Sequence, residues 1–157
     1  MDRMTSRIDP HAHTRHSDGT DSPRALLLAA RDAGLDVVGI TDHDTVSGWE
    51  EAVAAALELG VGLLPGAEIS AAHEGHSVHV LGFLMDPQAP ALAPLLSDAR
   101  GSRERRLHQM AENLAGDYPL LDWERVVASA AGAPLGRPHL ADELVRGGYF
   151  ADRAGAF

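Results

Sequence analysis

Cysteine is absent from the 157 residues, which removes disulfides, thiolate nucleophiles and every metal site built on sulfur. Positive charge is short as well. Lys and Arg number 13 against 23 Asp and Glu, a formal net charge of −10, and a broad nucleic-acid-binding surface needs clustered positive charge. A small anionic substrate is compatible with this balance, because bound divalent ions reverse the sign locally. No apolar run approaches the roughly 18 residues that a membrane span requires, and the start, Met1 to Arg7, is polar. From these absences we expect a soluble, cytoplasmic protein with no membrane partner and no extended nucleic-acid groove. Internal repeats are missing too, and the 45% hydrophobic content suits one globular domain.

Histidine, by contrast, is plentiful, with nine residues. It is densest in Asp9-Pro10-His11-Ala12-His13-Thr14-Arg15-His16-Ser17-Asp18-Gly19. Two histidines one residue apart arise readily by chance in such a chain, so His11 and His13 become a metal site only if other segments deliver ligands. Arg7-Ile8-Asp9 reads as a short strand leading into this cluster. A helix follows, with Ser22 as N-cap, Pro23 at its first position and Gly34 as its stop. Asp36 to Ile40 is an apolar, β-branched run of buried-strand type that leads into Thr41-Asp42-His43-Asp44-Thr45. Ser47 and Glu50 in capping-box spacing open a second helix that Gly60 closes. Val61 to Leu64 is a third strand, followed by Pro65-Gly66-Ala67 and Glu68. Ser77 to Leu84 is a fourth, with His79 inside it.

Strands alternating with helices predict βαβ units and a parallel sheet or barrel, in which ligands gather at the carboxyl ends of the strands. The groups His11/His13/Asp18, His43 and Glu68 each follow a strand, and this shared placement makes one composite site out of separate motifs. Imidazole and carboxylate donors without thiolate suit Zn²⁺, Mn²⁺ or Fe²⁺. Six candidate ligands exceed what one open catalytic site needs, so more than one ion is expected. His76 and His79 are three positions apart and point to opposite faces of a strand, and His79 is the better ligand. His16, His73 and His108 are read as surface residues. Asp9, Asp42 and Asp44 are candidates for orienting the ligating imidazoles. After Asp86 the pattern becomes helical, over 103–115, 122–131 and from Gly136 to Gly147-Gly148, with no further strand. Arg137 and His139 in that segment either cap a helix or bind a phosphate.

Taken together, Asp9-Pro-His11-Ala-His13, Ser17-Asp18-Gly19-Thr20, Ile40-Thr41-Asp42-His43-Asp44-Thr45, Pro65-Gly66-Ala67-Glu68-Ile69-Ser70 and His79-Val80-Leu81-Gly82 resemble the polymerase and histidinol phosphatase (PHP) domain. Within it the chain is most similar to bacterial phosphoesterases that remove the 3′ phosphate from nucleoside 3′,5′-bisphosphates or trim short RNA. The resemblance implies a distorted (β/α)7 TIM-like barrel, with its first four strands in residues 1–86 and a substrate-facing helical insert over 87–157. It implies two or three divalent transition ions (Mn, Zn or Fe). His11 and His13 would hold one, Glu68 would bridge it to a second bound also by His79, and Asp18 with His43 would hold a third. Arg137 and His139 would contact the phosphate of a small nucleotide or RNA end, and a metal-bound hydroxide would attack phosphorus.

Family members supply a further His and an Asp-x-His pair from later strands, and neither occurs here. The sequence is therefore expected to be an amino-terminal half, with a homo-oligomer or a completing segment to finish the barrel. Histidinol-phosphate phosphatase and polymerase-type exonuclease are alternatives within the same chemistry, against which the helical insert argues. A non-catalytic metal-binding half-domain completed by a partner is the alternative of another class.

Overall fold

The structure, a computed structural model, describes residues 6–157, so most of the polar start (residues 1–5) lies outside the described residues. Four strands, β1 (Ile8–Ala12), β2 (Val37–His43), β3 (Gly62–His73) and β4 (His76–Phe83), form one sheet in the order β1-β2-β3-β4. The helices α1 (Pro23–Asp32) and α2 (Trp49–Leu59) connect the first three strands, which run parallel. The remaining helices follow β4: α3 (Leu92–Leu114), α4 (Trp123–Ser129), α5 (Arg137–Arg146) and α6 (Arg153–Ala156). None is long and apolar enough to cross a membrane.

The expected alternation of strand and helix fails at the fourth strand. β4 returns antiparallel against β3 through Glu74 and Gly75, both at positive φ (49° and 80°), the two-residue geometry that matches the twist of a hairpin. The strands are also longer than their apolar runs. Pro65 and Gly66 read as a loop but sit inside β3, paired to β2 and β4. Gly66 is there because the strands come close: an added Cβ would stand 2.7 Å from the Gly82 carbonyl oxygen. Glu68 consequently lies in mid-strand, not after a strand.

Helix starts differ from the sequence reading at α2 and α3 but not at α1. Ser22 caps α1, its Oγ accepting the Ala25 amide at 3.1 Å. α2 begins instead behind Gly48 with no side-chain cap, because Ser47 Oγ is engaged with His16 and Thr45. α3 starts eleven residues before the expected Arg103, with Pro94 in its first turn, where a missing amide costs no helical bond. The short α6 was not expected at all.

Two apolar clusters hold these elements. Leu27 and Ala30 of α1, Val38 and Ile40 of β2 and Ala52, Ala55 and Ala56 of α2 pack one face of the sheet. Leu107 and Ala111 of α3 pack with Val126, Ala130, Leu135 and Leu140 in the helical part.

Between Asp9 and Ala12 strand β1 carries one residue more than β2, a bulge at Pro10-His11. Pro10 has no amide for the ladder, and the His11 amide is taken by Asp9 Oδ1 at 3.2 Å. Opposite the bulge, a Cβ on Gly39 would fall 2.1 Å from the Pro10 carbonyl oxygen. Backbone atoms cannot yield as a side chain can. Gly39→Ala is expected to cost about 2 kcal/mol, seen as a lower urea midpoint at unchanged m value.

Candidate metal centre

Local structure brings six titratable side chains from four strands and one loop into contact. The bulge and the loop after β1 present His11, His13 and Asp18. His43 is the last residue of β2 and lies in register beside Glu68 of β3. His79 of β4 pairs with Ser70 and so sits diagonally from Glu68 on the same face of the sheet.

Glu68 is the hub. It is buried, and its Oε2 lies 3.1 Å from His11 Nε2, 3.0 Å from His13 Nε2 and 3.7 Å from His43 Nδ1, while Oε1 contacts His79 Nδ1. The two Nε2 atoms of His11 and His13 are themselves 3.0 Å apart. Donor atoms about 2.1 Å from one ion stand roughly 3.0 to 3.4 Å from each other, so this triangle has the edge lengths of a coordination shell. On the other side Asp18 Oδ1 is 3.4 Å from His13 Nδ1 and Oδ2 is 3.5 Å from His43 Nε2.

The donors form three overlapping groups: His11, His13 and Glu68; His13, Asp18 and His43; His43, Glu68 and His79. His13 and His43 each belong to two of them, facing one neighbour with each ring nitrogen, which differs from the division expected from the sequence. His43 Nδ1 is buried without a hydrogen-bond partner. An orphaned lone-pair atom among carboxylates and imidazoles suits a borderline cation that takes nitrogen and oxygen donors.

Burial holds the His43 imidazole far below its ordinary value, to about 2, with Arg103, His13 and His79 adding to the effect. The ring therefore stays neutral in the fold and charges only in the unfolded chain. For a depressed histidine the stability contribution is complete above the unfolded value near 6.5 and drains away as pH falls below it. Metal-free protein should lose up to about 1.4 kcal/mol per pH unit on this account between roughly pH 6.5 and 4.5. Urea unfolding at the two pH values, in wild type and His43→Gln, checks it; the variant should show a shallower loss.

The three carboxylates expected to orient imidazoles do other work. Asp9 serves the His11 amide at the bulge. Asp42 accepts from Thr14 N, Thr14 Oγ1 and Ser17 Oγ, each at 2.7 Å, which ties the β1–α1 loop to β2. Only through Ser17, whose Oγ is 3.3 Å from His13 Nδ1, does Asp42 reach a ligand. Asp44 accepts from Ser70 N and Oγ at 2.7 Å and has φ 51°. Asp42 and Asp44 are buried, and their oxygens are taken by backbone amides and hydroxyls; Asp9 is exposed and meets the His11 amide. His16 is not a free surface residue either; its Nδ1 is 2.9 Å from Ser47 Oγ. His73, His76 and His108 are exposed, the first two opposite each other at the hairpin end.

Three arginines of α3 escaped the sequence reading. Arg100 donates to the Asp44 carbonyl at 2.8 Å. Arg103 is buried, donating to the Leu135 carbonyl at 2.7 Å and to Ser70 Oγ at 2.9 Å, with Nη2 3.9 Å from Asp18. Their signal was the spacing Arg100, Arg103, Arg106, one face of a helix that was thought to begin only at 103. Arg103, Arg106 and Arg137 line one side of a cavity of about 140 Å³ whose other side holds Asp18, His43 and His79. His139 does not line it. Its Nδ1 accepts the Gly136 amide at 3.0 Å and caps α5, and burial lowers its pKa.

A family model, the PHP domain, matches residues 9–122. The chain belongs to the PHP domain family. Among relatives, a 5′-3′ exoribonuclease of Haemophilus influenzae is 35% identical over 156 residues, covering 98% of this chain and 56% of that protein. A 3′,5′-nucleoside bisphosphate phosphatase of Chromobacterium violaceum is 38% identical over 109 residues, 69% of this chain and 38% of that protein. A crystal structure from Bifidobacterium adolescentis, assigned as a metal-dependent phosphoesterase, superposes with a TM-score of 0.87 at 42% identity, covering 97% of this chain and 54% of that one. This PHP chain thus spans about half the length of the curated relatives it matches.

Proposed function

We propose that this PHP chain provides the metal- and phosphate-binding part of a phosphoesterase that removes the 3′ phosphate from nucleoside 3′,5′-bisphosphates or trims the end of short RNA. The observation that carries the reading is a cluster of six metal-competent side chains, three of which (Asp18, His43 and His79) share one small cleft with three guanidiniums. His11, His13, Asp18, His43, Glu68 and His79 would hold two or three divalent ions, Mn, Zn or Fe. Such ions lower the pKa of a coordinated water towards about 7 and offset charge on phosphoryl oxygens.

The protein groups do the rest. The His43 imidazole keeps its lone pair free for coordination, because burial opposes its protonation. Arg137 and Arg106 face the cleft with no carboxylate partner among the described residues, Arg106 donating to Ser77 Oγ and Arg137 lying over the Phe157 ring, so both keep N–H groups for an arriving phosphate. Arg103 is held by Leu135 and Ser70 and turns one nitrogen towards Asp18, which fixes the position of the phosphate relative to the ligands. We assign residues 87–157 as the segment that carries these substrate contacts, with Arg137 as a binding residue and His139 as its support at the start of α5. A cytoplasmic setting agrees with a nucleotide substrate.

Phosphate release from adenosine 3′,5′-bisphosphate with added Mn²⁺ tests the proposal. His11→Ala should slow release about 100-fold or more, some 2.7 kcal/mol of barrier. An unchanged rate in that variant, or no release by the wild type, sinks the enzyme reading. One structural feature favours a second reading. β1 and β4 are open edges of the sheet, and Ile8, Val78 and Val80 are exposed on them. A metal-binding module that works with a completing segment or a second copy would fit such edges. Metal retained on elemental analysis without turnover would support it.

A further inference from the structure

The cleft does not end at its arginines. Arg103 and Arg106 also bound a second cavity, about 540 Å³, between the outer half of the β3–β4 hairpin and the first half of α3. Small residues, Ala71, Ala72 and Gly75 from the hairpin and Ala99 from the helix, leave it open between Leu95, His76 and the arginines. Its size is that of pockets which take ligands of a few hundred daltons.

Charge divides this groove from the cleft. Asp98 opens onto it with no partner among the described residues, so its carboxylate repels phosphate and accepts hydroxyl or amine donors. Arg106 stands at the junction. It lines both cavities, and among the described residues its guanidinium donates only to Ser77 Oγ, at 2.6 Å. Two guanidiniums facing one junction repel each other, and an anion between them turns that repulsion into attraction on both sides.

We infer that the junction seats the phosphodiester of a short oligoribonucleotide, one nucleoside lying in the metal-side cleft and the next in the hairpin groove. The ribose hydroxyls and base amines of the second nucleoside supply the donors that Asp98 accepts, and its phosphate faces Arg103 and Arg106. In the reaction water adds to phosphorus and one P–O ester bond breaks. The leaving sugar oxygen takes a proton, and the chain shortens by one nucleotide. A mononucleotide bisphosphate would leave the groove empty, so the groove selects for chain length. This rests on the phosphoesterase reading above.

Ala72→Trp blocks the groove from an exposed strand position, and Ala72→Ser is its conservative control. The readout is kcat/KM for a 5′-phosphorylated RNA trinucleotide divided by that for adenosine 3′,5′-bisphosphate, both with Mn²⁺. The tryptophan variant should lower this ratio about tenfold or more, and the serine variant should keep it. A ratio unchanged by tryptophan, with both substrates turned over, overturns the proposal, as it would if another part of the protein occupied the groove. If Ala72→Trp fails to fold, Ser102→Trp blocks the opposite wall from an exposed helical position. If the wild type turns over neither substrate, the phosphoesterase reading fails separately and binding decides the groove. A 3′-fluorescein RNA trinucleotide should then bind the wild type and lose about tenfold in affinity with tryptophan; no binding, or equal binding, overturns it.

Discussion

Replacing Glu68 with alanine should cut phosphate release by at least about 1,000-fold, or some 4 kcal/mol of transition-state stabilisation, and should lower bound metal further than substitution of His11 or His79 does. Glu68 is where two sets of donors meet. One oxygen faces His11, His13 and His43, and the other touches His79. His79→Ala removes one donor from one group, whereas Glu68→Ala removes a shared donor from two. It also removes the only carboxylate in contact with the imidazole rings of His11 and His79 among the described residues, leaving those rings with no negative charge beside them to draw cations in. Elemental analysis of purified variants, run beside the rate assay, separates loss of metal from loss of chemistry. Glu68→Gln keeps the shape and one carbonyl oxygen and should fall between the two. Full metal occupancy in Glu68→Ala would contradict the shared-ligand geometry.

Asp42→Ala should cost about 4 kcal/mol of folding stability, or roughly 10 °C in melting temperature for a chain of this size. Asp42 is 2% exposed and accepts three hydrogen bonds, and alanine would leave the Thr14 amide and the Thr14 and Ser17 hydroxyls without their acceptor. A hydrogen bond to a charged group contributes about 1.5 to 3 kcal/mol, and a buried donor left alone adds its own desolvation cost. Asp42→Asn keeps the volume and one acceptor oxygen, so about half the loss is expected. Thermal unfolding of metal-free protein by circular dichroism measures both. A shift of less than about 3 °C for the alanine variant would mean that other contacts hold the loop.

The candidate metal ligands stand out in the sequence because of their types and placement: His11, His13, Asp18, His43 and Glu68 recur around strands. Their geometry was less legible. Pro65 and Gly66 carry the local signals of a loop, yet the strand runs through them because neighbouring backbones approach too closely for a side chain at 66. The turn of β4 against β3 depends on two residues with positive φ, of which only Gly75 announces itself in sequence. Arg103 was overlooked because its partners, Ser70, Leu135 and Asp18, are 33, 32 and 85 positions away and no periodicity encodes them. Asp42 reads in the sequence as a group that orients a ligating imidazole, and it reaches one, His13, through Ser17 Oγ. Spacing suggests proximity to His43 and says nothing about the hydroxyls of Thr14 and Ser17 that reach it first.

The grip of Asp42 on the β1–α1 loop also bears on how ions would come and go. A carboxylate of the protein, and not an ion, holds His13 and Asp18 where they stand, so capture of a metal would demand little ordering of the chain. Affinity would then depend mainly on the donors themselves, their charge, basicity and hydration, and exchange of one divalent ion for another would be ligand substitution at a standing site, with the surrounding protein left folded.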